Sequence, residues 1–280
     1  MSESGQGGND GCCSIASGLH PKADVLSRAR FVRQEPQADQ LVAAFSCSYR
    51  AIYSTRHAAE LWLLNPGAGM TTNATLQCRC GEVRGVVTDV SPNTVNRVVC
   101  YCDDCQAFLH HLRRADLLDA HGGSDIVQIA PASLSFVHGK ERIVGLRLTP
   151  KGLYRWYASC CRTPLGNVVG PAIPFVGIVV QAFASETQKP DDLFGPAIGA
   201  IYGKYAVGGA PAGSRGPNLG LFARVICKVL GWRIRGQAWP HPFFQRETRS
   251  PAYSLTTLSE NEREALRLFC GPRPSLKPDR

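Results

Sequence analysis

Seven of the twelve cysteines of this 280-residue chain fall in three tight groups. The groups are Cys78-Arg79-Cys80-Gly81, Cys100-Tyr101-Cys102-Asp103-Asp104-Cys105 and Cys160-Cys161-Arg162-Thr163-Pro164-Leu165. Two thiolates one or two residues apart can swing both sulfurs onto one ion. A closed structural zinc needs four such ligands, whereas a reactive one keeps three and an open position. Cys100, Cys102 and Cys105 suit the open kind, and Cys78 and Cys80 need partners from the third group to close a second site. Cys12, Cys13, Cys47, Cys227 and Cys270 stand apart from these groups and read as structural or incidental. Three thiolates leave a bound zinc net negative and a poor Lewis acid. Such a centre favours binding and activating a fourth thiolate over activating water.

Residues near the ligands have competing readings. Asp103 and Asp104 could orient a substrate amine, but read first as helix-start carboxylates facing solvent. His110 and His111 could point back toward a metal as base or fourth ligand, with surface or packed histidine as the default. Arg79, Arg84 and Arg162 could pair with a substrate carboxylate, or balance thiolate charge.

The elements that must position these residues are mostly strands. Between Thr75 and Gly166, runs rich in β-branched and aromatic residues predict strands at 82–88, 94–99, 126–129, 134–137, 143–148 and 153–157. One helix is expected at 103–111. Beyond them, helices are predicted from Asp191 to Tyr205, from an Asn218 cap onward, and from the Ser259/Glu262 capping box to about Cys270. The Asn218 helix gathers Leu219, Phe222, Val225, Ile226, Val229 and Leu230 on one face, with Arg224 and Lys228 elsewhere. The segment 231–244 mixes aromatics and arginines. It reads as an extended stretch packing on the β domain, ahead of a nucleic-acid or membrane-surface element.

The three cysteine groups, over about Leu76–Asn167, resemble the motifs of the glutathione-dependent formaldehyde-activating enzymes, a family that includes centromere-protein-V-like proteins. The resemblance implies a mainly β, β-tent zinc fold of several small coiled sheets, α+β overall once the added C-terminal helices are counted. It also implies a structural zinc between the first and third motifs, and a labile zinc on Cys100, Cys102 and Cys105. That middle site is the one associated with glutathione and its formaldehyde adduct, which makes its cysteines the candidate catalytic residues of a carbon-sulfur lyase. The third motif departs from the family pattern: Ala158 stands at a usual ligand position and Arg162 at a usual glycine. Cys160 could substitute, giving a set of Cys78, Cys80, Cys160 and Cys161, or His138 could close the site. After the middle motif, bulky Phe108, Leu109, His110 and His111 replace small residues and alter the expected pocket.

Composition bounds the rest. At 44% hydrophobic and 19% charged, the chain can bury a core and is neither disordered nor low-complexity. Its longest apolar run, Ile173–Phe183, is too short for a membrane span and contains Pro174 and Gly177. The N-terminus has no basic start before an apolar core, so the expected location is cytoplasmic. The net charge of +9 lies mostly beyond residue 170, where fourteen basic residues face eight acidic ones. That bias suits anions in general, with nucleic acid an unlikely partner and a small thiol such as glutathione a candidate one. The expected organisation is an extension over 1–69 that is poorly ordered or marks a start set too far upstream, a zinc-binding β domain over 70–170 and a mixed region over 171–280 packing on it and ending in a disordered tail over 275–280. Oligomeric state is not legible. The alternative to an enzyme is a non-catalytic zinc module whose basic C-terminal half binds a partner.

Overall fold

The computed structural model describes residues 72–184, 189–214 and 218–272. The expectations for 1–69, for Cys12, Cys13 and Cys47 and for the C-terminal tail lie outside the described residues.

Two sheets and a few helices make up the described chain. The smaller sheet starts with β1 (Thr72–Gln77) and β2 (Arg84–Val90), where alternate residues such as Leu76 and Val87 are fully buried. Between them, Gly81 takes a positive φ of 80° and its N–H bonds the carbonyl of Cys78, so the first cysteine pair sits on a tight hairpin turn. β5 (Leu134–His138) and the short β10 (Phe183–Ala184) complete an antiparallel sheet of order β10-β1-β2-β5.

The larger sheet is built from β3 (Asn96–Cys100), β4 (Ser124–Ile129), β6 (Ile143–Arg147), β7 (Tyr154–Ala158), β8 (Pro164–Val168) and β9 (Val176–Val179). With β11 (Ala200–Ile201) and β12 (Leu255–Thr257) at its edges, its order is β11-β3-β4-β9-β8-β7-β6-β12. Both edge strands run parallel to their neighbours, and the inner pairs are antiparallel. Strands from beyond residue 170 therefore enter both sheets, with β9 at the centre of the larger one. The apolar run around Ile173–Phe183 supplies that strand. Every residue of β9 is buried, which explains why it carries no alternation.

The helices are α1 (Asp103–His111), α2 (Pro190–Phe194), α3 (Leu219–Ile234) and α4 (Glu260–Ala265). The helix expected from Asp191 to Tyr205 ends after one turn. Gly195 has a φ of 73°, Pro196 follows, and the chain turns into β11. α3 is capped by Asn218, whose side chain accepts from the Leu221 N–H at 2.9 Å, and the expected face holds at Val225, Ile226 and Val229, which meet the core, but not in the first turn. Leu221, Val229 and Trp232 are buried, whereas Leu219 and Phe222 are 76% and 44% exposed. Arg224, expected off the apolar face, donates to Asn96 at 3.2 Å and to the Pro92 carbonyl at 3.3 Å, and Lys228 donates to the Asn93 carbonyl. Those acceptors in the turn before β3 draw the basic side of the helix inward.

The main core gathers on Trp156, which is fully buried. Phe243 stacks on it at 5.1 Å, and Phe244 and Tyr253 meet it edge-on. The aromatic segment 231–244 thus includes two rings packed into the β core. A smaller core surrounds α1, where Phe108, Leu109 and Leu112 meet Leu146, Leu148 and Val179. No helix among the described residues is long and apolar enough to cross a membrane.

Candidate metal centres

The hairpin turn after β1 and the turn between β7 and β8 bring four sulfurs together. Those of Cys78, Cys80, Cys160 and Cys161 all lie within 4.8 Å of one another. Individual separations are 3.5 Å for Cys78–Cys80, 3.3 Å for Cys80–Cys160, and 3.9 Å for both Cys78–Cys160 and Cys160–Cys161. Sulfurs on a tetrahedron with metal bonds of ~2.3 Å would stand about 3.8 Å apart, so the donor set fits one ion. Arg162 takes a φ of 58°, the left-handed turn that the absent glycine would otherwise provide, and lets the adjacent cysteines share the site. Burial would raise the Cys161 thiol. Hydrogen bonds from Thr163, the Cys80 backbone and the Cys80 and Cys78 thiols outweigh that effect and hold it at about 6. Burial pushes the Cys78 thiol up. Ala158, at the usual ligand position, is instead a buried β7 residue. His138 lies opposite Arg84 in the β2–β5 pairing and is not one of the four.

The second group is Cys100 at the end of β3, Cys102 capping α1, and Cys105 in its first turn. Their sulfurs also lie within 4.8 Å of one another, and all three residues are buried. The Cys102 sulfur accepts the Cys105 N–H at 3.3 Å, so the helix N-cap itself orients a candidate ligand. Hydrogen bonds from Cys100 and Cys102 hold the Cys105 thiol well below its ordinary range, with help from Arg155 against the cost of burial. Cys102, donating to both neighbours and buried, is pushed well above it.

The sequence reading missed Arg155. It is 1% exposed, and its Nη1 lies 3.9 Å from the Cys105 sulfur and 3.2 Å from Asn167 Oδ1. Its Nη2 has no hydrogen-bond partner and stands 3.9 Å from Asp104. A buried guanidinium beside Cys105 suits negative charge on that sulfur. The trace in the sequence is an arginine at an inward position of an otherwise apolar and aromatic strand, Tyr154–Ala158.

Asp103 and Asp104 correct their expected placement. They are 8% and 2% exposed and face the C-terminal helix, not solvent. Arg263 pairs with Asp104 at 2.7 Å and with Asp103 at 3.0 Å, and Arg267 pairs with Asp103. Burial raises the Asp104 carboxyl against the pull of Arg155 and Arg263. His110 stacks on Phe269 at 5.1 Å, and neither it nor His111 joins a sulfur group. Cys270, expected to be structural or incidental, donates to the Asp103 carbonyl, while Cys227 is exposed.

A cavity of about 550 Å³ opens onto Cys100, Cys102 and Cys105. Gln128, Asn167, Tyr202, Ser214 and Asn218 supply its polar side chains, and Lys204 is the one charged residue that lines it among the described residues. Arg79, Arg84 and Arg162 belong to the four-cysteine turns and do not line it. The Arg79 N–H donates to Thr163 Oγ1 and Arg84 Nε donates to the Gly81 carbonyl.

No curated protein matches the chain. Among solved structures, a crystal structure of a Rhodobacter sphaeroides protein is similar at 17% identity, over 42% of this chain and 92% of that one. Its TM-score of 0.29 marks a likeness too weak to extend to fold or function. A family model matches residues 70–251, a span that includes all seven clustered cysteines, the strands that carry them and most of the cavity wall. The chain belongs to the family of unknown function DUF6151.

Proposed function

We propose that this is a zinc-thiolate protein with two sites of different character. Cys78, Cys80, Cys160 and Cys161 form a closed site that ties two turns together. Cys100, Cys102 and Cys105 form an open one whose function is to bind a small thiol or a thiol-aldehyde adduct. The carrying observation is that the three buried sulfurs line a cavity, whereas the four others sit at a junction of surface turns. The three motifs and the pair of sheets meeting at a cysteine cluster support kinship with the formaldehyde-activating enzymes and a β-tent fold, and glutathione is the thiol that this kinship implies.

When bound by three thiolates, zinc supplies an open position at which a thiol loses its proton near neutral pH. The balanced reaction is addition of a thiol to an aldehyde. A C–S bond forms at the carbonyl carbon, and the thiol proton ends on the carbonyl oxygen; the lyase direction reverses both changes. In this protein Arg155 offsets negative charge at Cys105, Asn167 orients Arg155, and the apolar walls exclude water. The alternative, a non-catalytic module whose basic C-terminal half binds a partner, has less support because Arg224, Lys228, Arg263 and Arg267 are engaged in internal contacts.

The test is zinc content per chain on protein purified without added metal, before and after dialysis against a small thiol. We expect two zincs falling to about one. Cys102→Ser should start at about one zinc and stay folded. One zinc that no thiol removes, with Cys102→Ser identical to the wild type, would leave only a structural site.

A further inference from the structure

The chemistry of the cavity wall bears on which thiol enters. Val98, Ile126, Leu153, Phe175, Leu221 and Val225 form much of its surface, and Gly177, Ala200 and Gly203 leave room between them. Its rim carries two apolar side chains in water: Leu219 and Phe222 line the cavity and are 76% and 44% exposed. Large apolar groups held at the mouth of an apolar chamber extend it outward toward an apolar ligand.

Glutathione brings two carboxylates and an ammonium. The described wall offers one cation, Lys204, and no carboxylate. The arginines that could have met a carboxylate belong to the other cysteine group, and Arg155 is enclosed with Asn167 and Asp104. Placing glutathione against this wall would strip water from charges that find too few partners.

We propose that the cavity above Cys100, Cys102 and Cys105 selects a small thiol with an apolar body, aliphatic or aromatic, over glutathione. The proposal rests on the three-cysteine site being the thiol-binding site. Such a ligand places its sulfur at the cysteines and its body among the aliphatic walls. A cavity of about 550 Å³ is ample for a body of five or six carbons.

The experiment is calorimetric titration of the zinc-loaded full chain with propane-1-thiol, butane-1-thiol and pentane-1-thiol, with the matching alcohols and glutathione as comparators. Each added methylene should tighten binding about fourfold, and pentane-1-thiol should bind at least about tenfold more tightly than glutathione. The alcohols should bind far more weakly than the thiols. Val225→Phe, which fills the chamber, should remove the dependence on chain length. Phe222→Glu, at an exposed position that folding tolerates, should weaken pentane-1-thiol and spare the zinc. A flat series, alcohols equal to thiols, glutathione as tight as pentane-1-thiol, or both variants without effect would each overturn the proposal. Zinc content on the same samples separates this from failure of the site itself. If Cys102→Ser carries as much zinc as the wild type, the thiol-site reading falls; if it carries less and the series is flat, only the apolar selectivity falls.

Discussion

Arg155 and Asp104 are both enclosed, and each depends on the other and on its outer partner, Asn167 with Cys105 or Arg263, to offset the cost of burial. Arg155→Met should cost about 3–5 kcal/mol in urea unfolding, because it leaves Asp104 short of a counter-charge. Adding Asp104→Asn should recover part of that loss, a recovery that a purely steric role for Arg155 would not produce. His241 governs a second, pH-dependent effect. The Phe243 N–H donates to its Nδ1, so the ring proton sits on Nε2, which is buried without a partner. Burial holds this histidine at about 4, below the ~6.5 of an unfolded chain. Between those values the unfolded state takes a proton that the folded state refuses. Stability present above pH ~6.5 should therefore decline by up to about 3 kcal/mol as pH falls to about 4, and then level off. His241→Phe should flatten that part of the curve in thermal melts taken against pH. The cysteine groups could be found in the sequence because ligand spacing is a local property. Arg155 could not be assigned a role, because a strand pattern shows which face a residue takes and not which sulfur lies across from it.

At the scale of elements, alternation and capping were the reliable guides. α1 begins and ends as expected, and the box at Ser259 is formed in both directions, with the Glu262 N–H donating to Ser259 Oγ and the Ser259 N–H donating to Glu262 Oε2. Because α4 presents Arg263 to the acidic first turn of α1, the cap matters beyond its own helix. Ser259→Ala should lower stability by about 1 kcal/mol and should weaken retention of the zinc proposed at Cys100, Cys102 and Cys105, measured by competition with a chromophoric chelator. β8 and β9 were missed for a physical reason. β8 opens on Pro164, allowed as the first residue of a strand, and both strands are buried on both faces, so neither shows a polar and apolar rhythm. α3 departs from the expected face at Leu219 and Phe222 because helical periodicity ranks residues by apolarity. The turn before β3 offers acceptors that favour Arg224 and Lys228 instead.

For the whole molecule, the four-cysteine group is a joint between sheets. Cys78 and Cys80 belong to the β1–β2 turn of the smaller sheet, and Cys160 and Cys161 to the β7–β8 turn of the larger one. On the proposed reading, removing the zinc held there with a strong chelator should lower the melting temperature well beyond what loss of the three-cysteine site does. Cys80→Ser should reproduce that drop and Cys102→Ser should not, as followed by calorimetry. The boundary expected at residue 170 follows the last cysteine motif, a local signal, whereas sheet membership depends on pairings far apart in sequence. The order of the larger sheet has a consequence for synthesis on the ribosome. β4 and β8 have no shared neighbour until β9 emerges, and the β3 and β6 edges wait for residues 200–201 and 255–257. The nascent chain therefore carries open, adhesive strand edges until residue 257 has emerged, and completion of the sheet is a high-contact-order event.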